Sequence, residues 1–175
     1  AYPFANPARG AEDYWRDVGT VDAYFDANQE LLSEDPPLVL GDPEWPILTY
    51  QQQAPPARFS PEPKDAEVDN VMVSGGCRIG SWKLKNSILI SNAIVPRESK
   101  LKNCLVLPEA EIGRGAKLKK VIVDNGCVIP ENAVIGYDHA ADARSYHVTE
   151  NGVTVVTRMM IGDGPAWLMK ARYRQ

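Results

Sequence analysis

The sequence predicts a mainly β protein built as a parallel β-helix of hexapeptide repeats. Three observations predict it. Apolar residues recur every six positions: Ala110, Ala116, Ile122, Val128 and Val134 share one phase. Val95, Leu101 and Leu107 make a second row, which Ile112 and Leu118 resume after a five-residue step. Small residues form a third row, Ser87, Ala93 and Ser99, continuing through Cys104 after the same slip. A period of six suits neither an α-helix nor a two-faced strand. It suits three short strands to a triangular coil, with coils stacked into a solenoid around one continuous core.

The elements follow in order. Residues 1–13 read as irregular. Tyr14-Trp15-Arg16-Asp17-Val18-Gly19-Thr20 leads into a helix over about 21–33. Thr20 is its N-cap, because a hydroxyl there accepts a free backbone N–H, and Asp22 suits the positive first turn. Val21, Tyr24, Phe25, Leu31 and Leu32 fall at helical spacing, so the helix is amphipathic and needs a cover. Residues 36–63 hold eight of the fourteen prolines and read as a linker of extended pieces and turns, in which Trp45–Tyr50 forms one short strand. Within the repeat, Pro96, Pro108 and Pro130 each open a similar phrase, and these prolines with Gly113 and Gly136 fit the corners between strands. The repeat ends near Gly136. Residues 138–146 read as a short helix, and the β-branched run 152–157 as a capping strand. The organisation is therefore 1–35, a linker over 36–67, a β-helix over 68–136, and a cap and tail over 137–175.

Composition bounds the function. The 175 residues are 44% hydrophobic, a globular balance, with a net charge of −4 that gives no general reason to expect nucleic acid as the partner. No apolar run reaches the length of a membrane span, and nothing resembles a signal peptide. Cys77, Cys104 and Cys127 are odd in number, match no zinc spacing and lie inside the repeat; they read as small buried thiols in a reducing cytosol. The chain opens on Ala rather than Met, which reads as a piece of a longer protein.

Many β-helix proteins are acyltransferases or carbonic anhydrases, and both chemistries need histidines on the coils. Here His139 and His147 lie beyond the repeat, which argues against either activity. No glycine-rich dinucleotide fingerprint or phosphate loop is present. The last eighteen residues carry Arg158, Lys170, Arg172 and Arg174 against the single acid Asp163. Such a tail is either a solvated surface or an anion site.

Several strings in order carry a resemblance: Tyr14–Thr20, Trp45-Pro46-Ile47, Ser74-Gly75-Gly76-Cys77, Val128-Ile129-Pro130-Glu131, Asp142-Ala143-Arg144 and Val156-Thr157-Arg158. On these the chain resembles the C-terminal part of the glucose-1-phosphate adenylyltransferases, the ADP-glucose pyrophosphorylases, over nearly its whole length. The resemblance implies a left-handed β-helix, preceded over residues 1–35 by the terminal strand and helix of a Rossmann-like nucleotidyltransferase domain. It implies a cytoplasmic, homotetrameric enzyme making ADP-glucose and pyrophosphate from ATP and glucose 1-phosphate with Mg²⁺, in glycogen or starch synthesis. The ATP loop and the sugar-phosphate lysine would lie outside this chain, so the chain alone is expected to be inactive. Asp17 matches a Mg²⁺-binding aspartate of related nucleotidyltransferases; the alternative is that it only supports the turn before Thr20. Arg158 matches an arginine of the family's allosteric site for phosphorylated effectors. Asn125 and Gly162 stand where some bacterial relatives place further arginines, and Arg172 or Arg174 would then substitute. The rival reading is a free-standing, non-catalytic β-helix that assembles or regulates other subunits.

Overall fold

A computed structural model describes residues 5–6, 11–12, 14–44, 46–50, 52–60, 66–81 and 83–161. Two short strands, β1 (Ala5–Asn6) and β2 (Ala11–Glu12), pair antiparallel. Helix α1 (Val21–Glu30) starts where the sequence predicts: the Thr20 side chain accepts the Ala23 N–H at 3.1 Å. It ends at Glu30, with Leu31 as its C-cap, three residues short of expectation. Residues 46–50 form no strand. Leu48 and Tyr50 are each 91% exposed, so nothing among the described residues offers that segment a ladder or a core.

The solenoid comprises β3 (Arg58–Phe59), β4 (Glu67–Val73), β5 (Arg78–Ile79), β6 (Lys83–Leu89), β7 (Ile94–Val95), β8 (Lys100–Lys102), β9 (Leu105–Val106), β10 (Lys117–Lys119), β11 (Val121–Val123) and β12 (Val134–Ile135). Helix α2 (His139–Asp142), β13 (His147–Val148) and β14 (Thr154–Val156) close it. Among the described residues all pairings between successive coils are parallel, and within the solenoid β13 alone runs antiparallel, against β14. The strands stack on three faces, making about four turns. The coils extend past the expected 68–136 on both sides. β3 pairs with β5 inside the expected linker, and β14 adds a rung on β11 after the α2–β13 excursion.

The true repeat is not a uniform six. Leu84, Leu89, Val95, Leu101, Val106, Ile112, Leu118, Val123, Ile129 and Ile135 form the inward row, each no more than 2% exposed. The steps run five, six, six, so one coil takes seventeen residues, as the register Leu84↔Leu101 shows. The short step falls one strand earlier than the sequence suggests, between Leu101 and Val106, so Val106, not Leu107, points inward. The small-residue row Ser87, Ala93, Ser99 and Cys104 is buried as expected, and it continues through Ala110 and Ala116, which the sequence assigned to the other phase. The phase through Ile122, Val128 and Val134 is corrected. Val121 takes the inward place, Ile122 faces outward into a second cluster, and Val128 and Val134 are exposed.

The corners explain the slip. At the short step, a continuous strand bends through a single left-handed residue, Asn70 in β4 and Asn86 in β6, with Asn103 and Lys120 at the equivalent corners above. Asparagine suits φ near +50° better than most side chains, and its amides stack: Asn70 Nδ2 donates to Asn86 Oδ1 at 3.1 Å, and Asn86 Nδ2 to Asn103 Oδ1 at 3.3 Å. The other corners are two-residue turns, with Gly76, Asn92, Glu109 and Gly126 in one column and Glu98, Gly115 and Asn132 in the other, all at positive φ.

Candidate functional site

One of the three faces is apolar outside as well as inside. Ile88, Leu105 and Ile122 stack in register on it and are buried not by the solenoid but by α1, whose Phe25 is 3% exposed against them. Val21 and Leu32 pack at the margins. The start of α1 is tied to the cap: the Thr149 hydroxyl donates to Asp22 Oδ1 at 2.6 Å, across 127 residues of sequence. The β-helix is thus the cover that the amphipathic helix required.

Asp17 lies just before this helix, exposed. Its Oδ1 accepts the Gly19 N–H at 2.9 Å, an Asx-type turn that delivers the chain to the Thr20 cap. Arg16 pairs with Glu30, and the Tyr14 hydroxyl reaches the same carboxylate at 3.4 Å, which folds the approach segment back along α1. A Mg²⁺ ion takes about six hard oxygens, many of them from water and phosphates. Asp17 can offer one carboxylate oxygen to such an ion while the other holds the turn. Among the described residues no cluster of three metal-ligating side chains exists, so the remaining ligands would come from elsewhere.

Arg158 follows β14 on an exposed turn, and the structure sets it over the corner Asp124–Cys127. A Cβ placed on Gly126 would stand 3.7 Å from Nη1 of Arg158 and 3.9 Å from its Cδ and Cζ, so the side chain lies across that glycine. The corner is firmly held. Asp124 Oδ1 accepts the Asn125 N–H at 2.8 Å, and Pro108 O accepts both the Gly126 N–H at 2.8 Å and Asn125 Nδ2 at 3.0 Å. Burial and the Asp124 charge push the Cys127 thiol up to about 11, with Arg158 pulling the other way. Arg158 itself makes no ion pair or hydrogen bond among the described residues, so its planar fork of donors is available for bidentate contact with a phosphate. The sequence linked Arg158 with Asn125 only through the resemblance; the fold lays Arg158 across Gly126, the residue that follows Asn125. Gly162, Arg172 and Arg174 lie outside the described residues.

The remaining candidates are structural. Cys77, Cys104 and Cys127 are fully buried, and desolvation pushes the Cys104 thiol up to about 12, far from a reactive thiolate. His139 and His147 are exposed beyond the coils. Asp142, which the sequence marked only as part of a string, is a closure point. It is buried, and its Oδ2 accepts the Gly136 N–H at 2.7 Å where the last coil ends. No described helix is long and apolar enough to cross a membrane.

A family profile described as GlmU-like, C-terminal hexapeptide, matches residues 55–156, a span that coincides with the coils from β3 to β14. The chain belongs to that family, whose hexapeptide repeats fit a left-handed β-helix. It is also similar to the C-terminal part of several curated glucose-1-phosphate adenylyltransferases. It is 51% identical over 169 residues to that of Saccharophagus degradans, covering 95% of this chain and 40% of the relative. It is 47% identical over 174 residues to that of Alteromonas mediterranea, covering 98% and 40%. It is 46% identical over 166 residues to that of Shewanella frigidimarina, covering 93% and 39%. The chain therefore spans about two fifths of the length of these relatives.

Proposed function

We propose, with membership of the hexapeptide family as the premise, that this chain is the C-terminal assembly and regulatory portion of a glucose-1-phosphate adenylyltransferase. The observation that carries the proposal is the match itself. It runs through α1, the linker and the solenoid without leaving the relatives' C-terminal part, and reaches 98% of this chain. The parent enzyme would join ATP to glucose 1-phosphate, giving ADP-glucose and pyrophosphate.

The geometry supports a division of labour. α1 is pinned to the solenoid by Phe25 and by the Thr149–Asp22 bond, so whatever precedes α1 is held against the β-helix. Arg158 supplies an exposed guanidinium on a rigid corner, suited to a phosphorylated effector. The solenoid, with its rigid flat faces, brings copies together into the homo-oligomer. Mg²⁺, where bound, would neutralise charge on the triphosphate, with Asp17 giving one oxygen to it.

The test is twofold. The gene upstream of this segment should encode a glycine-rich nucleotidyltransferase start. Pyrophosphate release from ATP and glucose 1-phosphate should be absent for the chain alone, since positioning and electrostatics supply nearly all catalysis in such transfers. Turnover near that of a full-length relative would overturn the proposal.

A further inference from the structure

Charge on this chain is sorted by face. The sequence Lys-Leu-Lys occurs at 83–85, 100–102 and 117–119. The register pairs Lys85 with Lys102 and Lys102 with Lys119, and Lys100 with Lys117. The leucines between them point inward, so the six lysines project from one face of the solenoid as two columns. Parallel strands set neighbours in a column about 4.8 Å apart, and alternate residues of a strand about 6.6 Å apart. These separations are shorter than the ~8 Å screening length at physiological salt, so the charges add to one field. Only the first rung is acidic, where Asp69 pairs with Lys85 at 2.8 Å. Lys119 lies over the Tyr137 ring, 5.9 Å from its centre. Lys100, Lys102 and Lys117 have no acidic partner among the described residues. The other two faces differ. One is the apolar strip under α1, and the other carries Arg78, Ile94, Glu111 and Val128. Lysines placed only for solubility would be interspersed with acids.

The complementary charge is in the same chain. Residues 17–57 contain eight acids and no lysine, arginine or histidine. Asp26, Glu34, Asp35 and Glu44 of this arm are exposed, and none pairs with a lysine of its own chain among the described residues. We propose that the six-lysine face of one copy docks the acidic arm, residues 26–44, of a second copy. This rests on the reading that the solenoid assembles copies, and it names the two surfaces and the force between them. Each copy carries both surfaces, so a two-fold pairing satisfies both at once. The docking is electrostatic and steered, and weakens with salt.

Sedimentation equilibrium of the 175-residue chain tests it. Association should weaken at least about tenfold between low and high salt. The face variant Lys85→Glu, Lys102→Glu, Lys119→Glu should be monomeric, as should the arm variant Asp26→Lys, Glu34→Lys, Asp35→Lys. Mixed, the two should form a 1:1 complex, because each reversed surface then meets an opposite one. All six positions point to solvent, and far-UV circular dichroism confirms folding; a Lys→Gln version of the face variant gives the milder control. Association that persists unchanged in salt and in both variants overturns this docking but leaves assembly standing. A chain monomeric at all salts and concentrations overturns both. A wild-type chain that stays monomeric yet binds heparin through the lysine face would assign that face to a polyanion instead.

Discussion

Replacing Phe25 with alanine should detach α1 and leave the solenoid folded. Phe25 is the one fully buried residue of a ten-residue helix. A helix of that length is marginal alone, since about 12–15 residues are needed even for good formers. Its stability must therefore come from docking on Ile88, Leu105 and Ile122. A phenylalanine buries about 150–250 Å², which at about 25 cal/mol per Å² is roughly 4–6 kcal/mol. Truncation in cores typically costs about 3–5 kcal/mol. The other anchors are the half-buried Val21 and Leu32 and the Asp22–Thr149 bond, the last worth about 1.5–3 kcal/mol with its charged acceptor. The loss is comparable to all that remains. Hydrogen exchange should show amides 23–32 losing protection while those of β8 to β11 keep theirs. The uncovered Ile88–Leu105–Ile122 strip should begin to bind ANS. Phe25→Leu, which keeps most of the volume, should cost under about 1.5 kcal/mol. If α1 amides stay protected in Phe25→Ala, or if helix and solenoid melt as one unit, the helix is not held in the way described.

Three further outcomes follow from other parts of the structure. Arg158→Ala in the full-length parent should leave basal turnover intact and reduce effector coupling by about 1–3 kcal/mol, read by titrating fructose 1,6-bisphosphate, fructose 6-phosphate, 3-phosphoglycerate, AMP and phosphate; curves that overlay wild type for every effector would make Arg158 a mere surface charge. Asp142→Ala should lower the unfolding free energy by about 1–3 kcal/mol, because the buried Gly136 N–H loses its acceptor, and urea denaturation measures this. Burial raises the Cys104 thiol from 9.0 to about 12, so its contribution is complete below pH 9 and declines as pH climbs toward 12, by at most about 4 kcal/mol; the alkaline fall in melting temperature should flatten in Cys104→Ala.

The fold was legible because its period is unusual. The near-six spacing that marks a solenoid coil and the buried row Ser87–Ala93–Ser99–Cys104 hold in the structure, although one step in three is five residues. The exact register was not legible. The five-residue step depends on a left-handed corner, and the chain fills that corner with asparagine three times and then with Lys120. A lysine carries no signal for positive φ, so after Lys120 the inward place could be assigned to Val121 or to Ile122 from spacing alone. The outward identity of Ile122 also hid in its hydrophobicity, which is explained by a helix some 97 residues earlier rather than by the coil. Arg158 and Asn125 are 33 residues apart in the chain, and only closure of the solenoid by β14 brings them to one corner.

That closure also orders the functional parts along a single physical chain. β14 takes the rung above β11 that the coil itself would have supplied, and it can do so because Asp142 terminates the last true coil and sends the backbone through α2 and β13. The same excursion carries Thr149, which holds Asp22 at the head of α1, and ends at Arg158, which lies on the Asp124–Cys127 corner. A ligand that moved Arg158 would act on β14, and Val153, just before β14, accepts the N–H of Thr149 in the loop that grips α1. Were an anion to bind at Arg158, the shortest path through the chain from it to the loop that grips α1 would span about ten residues, 149 to 158. Its test is Thr149→Val, which keeps the volume and removes the hydroxyl that donates to Asp22 and accepts the Val153 N–H at 3.0 Å. In the full-length parent it should reduce effector coupling while leaving both the Arg158 corner and the solenoid intact. Undiminished coupling in that variant would show that the signal crosses by another surface.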